Sequence, residues 1–208
     1  MGLVQRWRQY ARQYGTKGLV RYLLRRAVHP VWERSRVQLL VAEPPPQSVS
    51  ARVPLRIDTL TAEAARRLHF MKPGWEERWA RGETCYVAWK DDTLVHHSWV
   101  SAGSPYIGEA HVTLRIDRSD GYIYDCFTDG SCRGMGIFPA VLGHITCTLF
   151  GNGAARVWIA VEEENISSIK AIQRGGFRLA AVLDYRRLGP WVTRTTEALP
   201  GTPHFSTE

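Results

Sequence analysis

Apolar and polar residues alternate along several stretches of the chain, and each stretch predicts a strand. The clearest example is Tyr122–Thr128, in which β-branched and aromatic side chains recur before Asp129-Gly130 ends the strand. A further short strand is predicted at Val37–Val41. Other segments of the same kind lie at Val53–Ile57, Thr84–Trp89, Thr93–Ser101, Tyr106–Ile116, Ala155–Val161 and Phe177–Leu188.

Apolar residues at steps of three and four predict helices between these strands. Gly136–Phe150 carries Ile137, Val141, Ile145 and Leu149 on one face. Further helices are predicted from Thr61, over Trp75–Arg81 and over Asn165–Arg174. The order of elements predicts an α/β fold with a mixed, mainly antiparallel central sheet flanked by helices.

The N-terminal part differs from the rest in charge. Residues 1–36 hold nine Arg and Lys residues against the single acid Glu33, whereas the remainder is nearly neutral. Aromatic and apolar residues at helical spacing make this part an amphipathic, basic helical extension. We therefore divide the chain into an extension (1–43), a Pro-rich linker (44–51), a main folded domain (52–188) and a polar, loosely held tail (189–208).

The basic extension has three interpretations, and the sequence leaves them open. It docks against the domain or a second subunit, it binds anionic lipid headgroups, or it binds nucleic acid. Nothing downstream resembles a nucleic-acid reader module, so nucleic acid is not an expected partner. No apolar run is long enough for a membrane span, and arginines interrupt any secretory signal. We expect a cytoplasmic protein, with the inner membrane surface as the alternative location.

The four cysteines form no CxxC pair and show no zinc-like spacing with histidine. Reduced thiols in the cytosol are the expected state, and no metal is expected.

The segment after the Tyr122–Thr128 strand has the composition of a phosphate-binding turn. Arg133-Gly134-Met135-Gly136 leads into the predicted helix. Glycines allow a ligand to approach the backbone N–H groups closely, and a helix presents the positive end of its dipole at its N-terminus. The segment therefore predicts a site for a phosphate-bearing group.

This turn resembles the acetyl-CoA-binding turn of the GCN5-related N-acetyltransferase (GNAT) superfamily. A second segment supports the resemblance: Val161–Ser168 is similar to the later strand and helix start of the family, and Arg174–Phe177 to its terminal Gly-Phe. The resemblance covers about Val53 to Leu188. The chain departs from the family at Phe138, where a small residue is usual.

The resemblance implies that acetyl-CoA is the acyl donor and which residues bind it. Backbone groups of the turn would bind the diphosphate, those at the end of the strand would pair with the pantetheine arm, and two side chains would line the arm from the other side. An N–H at the end of the strand would also point at the thioester carbonyl. The implied residues are Phe127, Thr128, Arg133, Gly134, Met135, Gly136, Ile137, Phe138, Asn165 and Ser168.

A base must remove a proton from the acceptor ammonium before it can attack. Glu109 is the preferred candidate and His97 the second; His96 points to the opposite face from His97. Strand alternation also places Tyr124 and Cys126 on one face, with Asp125 on the face away from the amine.

The family often protonates the departing thiolate with a tyrosine where this chain has Ile172. Tyr124 or Tyr185 would replace it, or no acid is needed, since a thiol has a pKa of about 8.5.

These features predict an N-acetyltransferase that moves acetyl from acetyl-CoA to a primary amine of a small molecule by direct attack in a ternary complex. Four tryptophans on the acceptor side suggest an amino sugar, although core packing explains most tryptophans. They are Trp75, Trp79, Trp89 and Trp99. Two alternatives remain: a catalytically silent CoA-binding adaptor, and a longer-chain acyltransferase at a membrane surface.

Overall fold

The computed structural model describes residues 32–208. The helices predicted in the basic extension lie outside the described residues. Within 32–208 the mixed α/β fold with a large, mostly antiparallel sheet is confirmed.

Eight strands form the large sheet in the order β10-β9-β1-β8-β7-β4-β3-β2, and three form a small sheet in the order β11-β6-β5. Only β7 and β8 are parallel among the paired strands of residues 32–208. The strands are β1 (Trp32–Ala42), β2 (Arg56–Leu60), β3 (Thr84–Lys90), β4 (Thr93–Ala102), β5 (Tyr106–Ile107), β6 (Val112–Arg115), β7 (Gly121–Thr128), β8 (Val157–Glu162), β9 (Arg178–Leu188), β10 (Trp191–Ala198) and β11 (Ser206–Thr207).

Four α-helices accompany the sheets in the described part of the chain: α1 (Ala62–Arg67), α2 (Trp75–Ala80), α3 (Ile137–Gly151) and α4 (Ile166–Arg174). The predicted capped start of α1 is confirmed, because the Thr61 hydroxyl accepts a hydrogen bond from the N–H of Ala64 at 3.2 Å.

The two faces of the large sheet are covered differently. On one face, α3 and α4 bury Val141, Ile145 and Ile172 against the strands. On the other face, α1 and α2 cover β3 and β4, while the small sheet covers β1, β8 and β9. Tyr124 on β7 contacts both groups on this second face. Its strand therefore lies where the two covering layers meet.

The strand β1 is part of the sheet and not of a separate extension. It pairs with β8 on one side and β9 on the other. Its side chains Leu39, Leu40 and Val41 are fully buried, on both faces of the sheet. Continuous burial of this kind explains why the segment is apolar without alternation. The boundary predicted at residue 43 therefore differs from the one that the sheet shows.

Two further expectations need correction. The tail is not loosely held, because β10 pairs with β9 over eight residues and β11 pairs with β6. The strand expected at Tyr106–Ile116 is two strands separated by a turn, in which the N–H of His111 bonds to the carbonyl of Gly108 and His111 has a φ of +50°. Glu109 therefore lies in this turn and not on a strand.

The predicted linker packs along α3. An added Cβ at Gly143 would lie 2.9 Å from the carbonyl oxygen of Gln47, and one at Gly136 would lie 3.5 Å from the Cα of Ala51. The N–H of Arg52 then bonds to the carbonyl of Met135 at 2.8 Å. The linker thus supports the turn before α3 from outside.

We predict that Gly143→Ala destabilises the protein by about 1–2 kcal/mol, although alanine usually favours a helix, because the new methyl group meets the backbone of Gln47. Gly151→Ala in the same helix is the matched control, since no atom lies within 4 Å of its added Cβ. Urea denaturation measures both. A Gly143→Ala protein at least as stable as the parent would contradict the packing of the linker on α3.

Candidate active site

The strands β7 and β8 part in the middle of the sheet. Their pairing covers Gly121, Tyr122 and Ile123 of β7, with Ile159 as the last partner on β8, although β7 continues to Thr128. Beyond Ile123 the edge of β7 that faces β8 therefore has backbone N–H and C=O groups for which the described residues provide no strand partner. Such an edge pairs with an extended ligand as a sheet pairs with an added strand.

A bulge at Asp125 changes the direction of the side chains along β7. Trp99 of β4 lies opposite Tyr124, and His97 lies opposite Phe127, so two residues of β7 face one residue of β4. Asp125 has a φ of +46°. A bulge of this kind places an extra residue in one strand and shifts its alternation.

The alternation predicted for β7 is therefore wrong beyond Tyr124. Cys126 packs with the α3 side of the sheet, opposite to Tyr124. The carboxylate of Asp125 lies on the Tyr124 side, where it accepts a hydrogen bond from Arg78 at 2.5 Å. The expectation that Asp125 points away from the acceptor side is corrected.

The turn after β7 brings the N-terminus of α3 to the end of the open edge. Gly134 and Gly136 have φ values of +80° and +76°, and Gly136 caps α3 without a side-chain hydrogen bond. The N–H groups of the first helical turn have no partner within the helix. No atom lies within 4 Å of an added Cβ at Gly134, so its surroundings are open. The turn can bind an anion through backbone amides and the helix dipole.

Phe138 does not enter this turn. Its ring stacks on His96, with centroids 5.5 Å apart and an interplanar angle of 29°. The imidazole of His96 in turn hydrogen-bonds the hydroxyls of Thr128 and Ser98 at 2.7 and 2.8 Å. The large residue at position 138 therefore packs on the sheet and leaves the backbone amides accessible. Arg133 folds back, and its Nε donates to the carbonyl of Thr128 at 3.3 Å.

The start of α4 shows a helix cap. The side-chain oxygen of Asn165 accepts from the N–H of Ser168 at 3.2 Å and from the hydroxyl of Ser167 at 3.1 Å. Ile172, at the position of the tyrosine expected from the resemblance, is 1% exposed and lies in the core beneath α4. No acidic group can act from that position.

The comparisons with known proteins agree with this arrangement. The acetyltransferase (GNAT) family model matches residues 55–177, from β2 to the end of α4 and Phe177.

The chain belongs to the GNAT acetyltransferase family.

Domains of this family transfer an acyl group from acyl-CoA to an amine. No curated protein sequence matches the chain.

Several solved structures share the GNAT fold at low sequence identity. A GCN5-related N-acetyltransferase from Sphaerobacter thermophilus has a TM-score of 0.53 and 13% identity, with coverage of 85% of this chain and 57% of that one. A GNAT-family protein from Novosphingobium aromaticivorans has a TM-score of 0.52 and 14% identity, with coverage of 80% of this chain and 66% of that one. An acetyltransferase from Colwellia psychrerythraea has a TM-score of 0.50 and 16% identity, with coverage of 88% of this chain and 63% of that one. This chain therefore spans less than two thirds of the length of these proteins.

The GNAT domain has a cluster of polar side chains beside the bulge, on the face of the sheet that α1 and α2 cover. The guanidinium of Arg78 lies between the rings of Trp99 and Tyr124, at 5.1 and 4.9 Å from their centroids, and pairs with Asp125. The hydroxyl of Tyr124 donates a hydrogen bond to the carboxylate of Glu83. Burial and this hydrogen bond raise the pKa of Tyr124, so the phenol remains protonated.

A second cluster surrounds His97. The Nζ atom of Lys72 lies 3.4 Å from His97 Nε2, and it also lies 5.0 to 5.6 Å from the ring centroids of Phe70, Trp75 and Phe127. Burial, with the nearby charges of Lys72 and Arg78, lowers the pKa of His97 to about 3. His97 is therefore neutral at physiological pH and a weak base.

The other candidates lie apart from this cluster. Tyr185 is 3% exposed on β9, and its ring lies against that of His111 in a tilted contact, with centroids 4.4 Å apart. Two strands separate β9 from β7, so Tyr185 is about 14 Å from Tyr124 or more. Glu109 is exposed in the β5–β6 turn, close enough for its charge to contribute to the raised pKa of Tyr122. The structure thus places Tyr124 beside Glu83 and Arg78, and His97 beside Lys72, while Tyr185 lies elsewhere.

The tryptophans of this region form packing contacts. Trp75 and Trp99 are 1% and 0% exposed, and their rings meet at 5.3 Å with an angle of 72°. The Nε1 of Trp79 donates to the carbonyl of Leu60 at 3.0 Å. Core packing is therefore confirmed for Trp75 and Trp99, which are not available to stack on an acceptor.

Three residues of the site were missed from the sequence: Lys72, Arg78 and Glu83. Their partners His97, Asp125 and Tyr124 lie 25, 47 and 41 residues away along the chain. No local pattern marks such contacts. Among the described residues, no group of three or more His, Cys, Asp or Glu side chains has the arrangement of a metal site. None of the helices described combines the length and apolar character that a membrane crossing requires.

We predict that Gly134→Ala weakens CoA binding about tenfold, because a left-handed backbone costs a residue with a Cβ about 1–2 kcal/mol and the turn would change shape to relieve it. Gly130→Ala in the same loop is the control, since its backbone is not left-handed and nothing lies within 4 Å. Isothermal titration calorimetry with CoA measures both. Equal affinities for the two variants would contradict a role for the Gly134 backbone.

The buried histidines predict an acid-sensitive fold. Burial lowers the pKa of both His96 and His97 to about 3. An unfolded histidine has a pKa of about 6.5, so unfolding takes up protons below that pH and stability falls towards pH 3. We expect the free energy of unfolding to fall by up to about 1.4 kcal/mol per pH unit for each histidine. Between pH 7 and pH 4.5, the denaturation midpoint should fall less steeply with decreasing pH for His97→Gln than for the parent protein. An equal slope for the two would contradict a contribution of His97 to the acid sensitivity.

Proposed function

We propose that the protein transfers acetyl from acetyl-CoA to a primary amine of a small molecule, by direct attack in a ternary complex. One observation carries the proposal: the open edge of β7 ends beside the glycine turn and the N-terminus of α3. An extended thioester arm fits the edge, and its diphosphate fits the turn.

The donor is held mainly by the backbone in this proposal. Phe127 and Thr128 pair with the pantetheine arm, and the amides from Arg133 to Phe138 bind the diphosphate. Asn165 and Ser168 line the arm from the α4 side, although the cap they form also explains their identity. An amide at the end of β7 stabilises the oxyanion that forms on the thioester carbonyl, a contribution of about 3 kcal/mol in other enzymes.

We assign the removal of the amine proton to Tyr124 and Glu83. The oxygen of Tyr124 accepts a proton from the acceptor ammonium, while the phenol proton passes to the carboxylate of Glu83, its hydrogen-bond partner. His97 is too weak a base to be preferred. Glu109 lies in the β5–β6 turn, where its charge acts on Tyr122 of the same strand, and it is the competing base.

The thiolate leaves without a dedicated acid. Ile172 cannot supply a proton, and Tyr185 lies too far from β7. A thiol pKa of about 8.5 makes thiolate an adequate leaving group.

The carboxylates of Asp125 and Glu83 suit a cationic acceptor. Two of the tryptophans that suggested an amino sugar are buried and cannot stack on it. Other small amines must therefore be tested as acceptors alongside amino sugars.

Four free cysteines favour a reducing compartment such as the cytoplasm.

The proposal is tested by following CoA release from acetyl-CoA with a panel of amino sugars, polyamines and aryl-alkyl amines. Glu83→Gln should lower kcat about 100-fold or more, because a general base contributes 10²–10⁴-fold. The affinity for CoA should stay unchanged, which shows that the fold is intact. A larger loss for Glu109→Gln than for Glu83→Gln would assign the base to Glu109.

A second candidate function is the catalytically silent CoA-binding adaptor, favoured by the burial of Ile172. CoA binding without turnover of any acceptor would support it. The membrane-surface acyltransferase depends on the basic extension, which lies outside the described residues for the most part. Liposome co-sedimentation of the full chain against residues 32–208, which keep β1, addresses that alternative.

A further inference from the structure

Lys72 does not form an ordinary ion pair with any described residue. In the described part of the chain no carboxylate lies within 4 Å of its Nζ atom, although Asp125 is near enough to influence it. Asp125 is instead paired with Arg78 at 2.5 Å. The ammonium is thus surrounded by three aromatic rings and one imidazole.

The contact with His97 orients the amine of Lys72. A lysine ammonium can only donate, so Nε2 of His97 must accept and Nδ1 must carry the ring proton. Nδ1 is buried and has no hydrogen-bond partner among the described residues. Burial lowers the pKa of Lys72 below its ordinary value, and the charge of Arg78 acts in the same direction. The neutral amine is therefore more accessible here than on an exposed lysine.

Lys72 also lies beside β7, the strand proposed to bind the thioester arm. Its Nζ atom is 5.0 Å from the ring centroid of Phe127, which pairs with His97 across β4 and β7. Phe127 is the residue whose backbone is proposed to hold the thioester. The flexible four-carbon stem of lysine allows its amine to take different positions around the ring of Phe127.

We propose that Lys72 is a site of self-acetylation by the bound acyl-CoA. This inference rests on the proposed function, since it uses the same donor site. Lys72, which is partly exposed, loses a proton to solvent, and its neutral nitrogen attacks the thioester carbonyl. An amide N–C bond forms, the C–S bond breaks, and CoA leaves as a thiolate that takes up a proton. The products are acetyl-lysine and CoA, with one proton released.

The modification removes a positive charge from the cluster. Acetyl-lysine is neutral, so the aromatic rings lose their cation and His97 loses a nearby charge. Because an amide is stable, the modified protein is an end product and not an intermediate of transfer to another amine.

The chain itself supplies matched controls, since it has four lysines: Lys17, Lys72, Lys90 and Lys170. Lys170 is exposed on α4, and Lys90 pairs with Asp91 at 2.7 Å. Unassisted chemical acetylation favours an exposed amine. Acetylation within the site favours Lys72.

The test incubates the full-length protein with ¹³C-labelled acetyl-CoA and maps the label by mass spectrometry of peptides from a protease that does not cut at lysine. The isotope distinguishes new acetyl groups from any acquired during expression. We expect Lys72 to be labelled at least about tenfold faster than Lys170. Excess desulfo-CoA should suppress labelling at Lys72 and leave Lys170 unaffected.

Calorimetry with CoA on the same sample separates the failure of this inference from the failure of the proposed function. If CoA binds but Lys72 gains label no faster than Lys170, self-acetylation is overturned and the donor site stands. If Lys72→Arg leaves the total label unchanged, self-acetylation is also overturned. If CoA does not bind, the proposed function fails, and self-acetylation fails with it.

Discussion

The parting of β7 and β8 is the constraint on which the rest of the site depends. Hydrogen bonds hold the two strands together up to Ile123, and beyond that point β4 is the only strand that pairs with β7 within residues 32–208. Backbone groups without partners are costly unless water or a ligand satisfies them. The opening therefore has a fixed place in the sheet, set by where the pairing ends, and a ligand that pairs with β7 would complete it.

The bulge at Asp125 gives this opening two different sides. On one face of the sheet, Cys126 and Thr128 lie on the α3 side, where His96 and Phe138 support the glycine turn. On the opposite face, Asp125 and Phe127 lie with the charged side chains. In the proposed function, the donor turn and the acceptor side therefore lie on opposite faces of β7. The aromatic packing of Trp75 and Trp99 fixes the second face, so its polar groups are held by a rigid layer.

Local signals predicted much of the fold, and long-range contacts account for what was missed. The glycine turn, the Thr61 cap and the buried face of α3 each depend on residues within a few positions of one another, so the pattern of the sequence is sufficient. The alternation along β7 failed at Asp125, because a bulge is set by the register with β4. Glu109 was assigned to a strand, and the turn that contains it depends on the left-handed backbone of His111. Lys72 and Glu83 gave no signal, since only the folded sheet brings them to their partners.

A backbone-resolved titration with CoA tests the central claim most directly. In ¹H–¹⁵N correlation spectra of the labelled protein, the amides of Phe127, Thr128, Gly134 and Gly136 should shift first and furthest, along with their neighbours at the start of α3. Amides of β10 and of the β5–β6 turn should hardly move. Shifts concentrated there, with the amides of β7 and the glycine turn unchanged, would show that CoA binds at a different surface and would contradict the account.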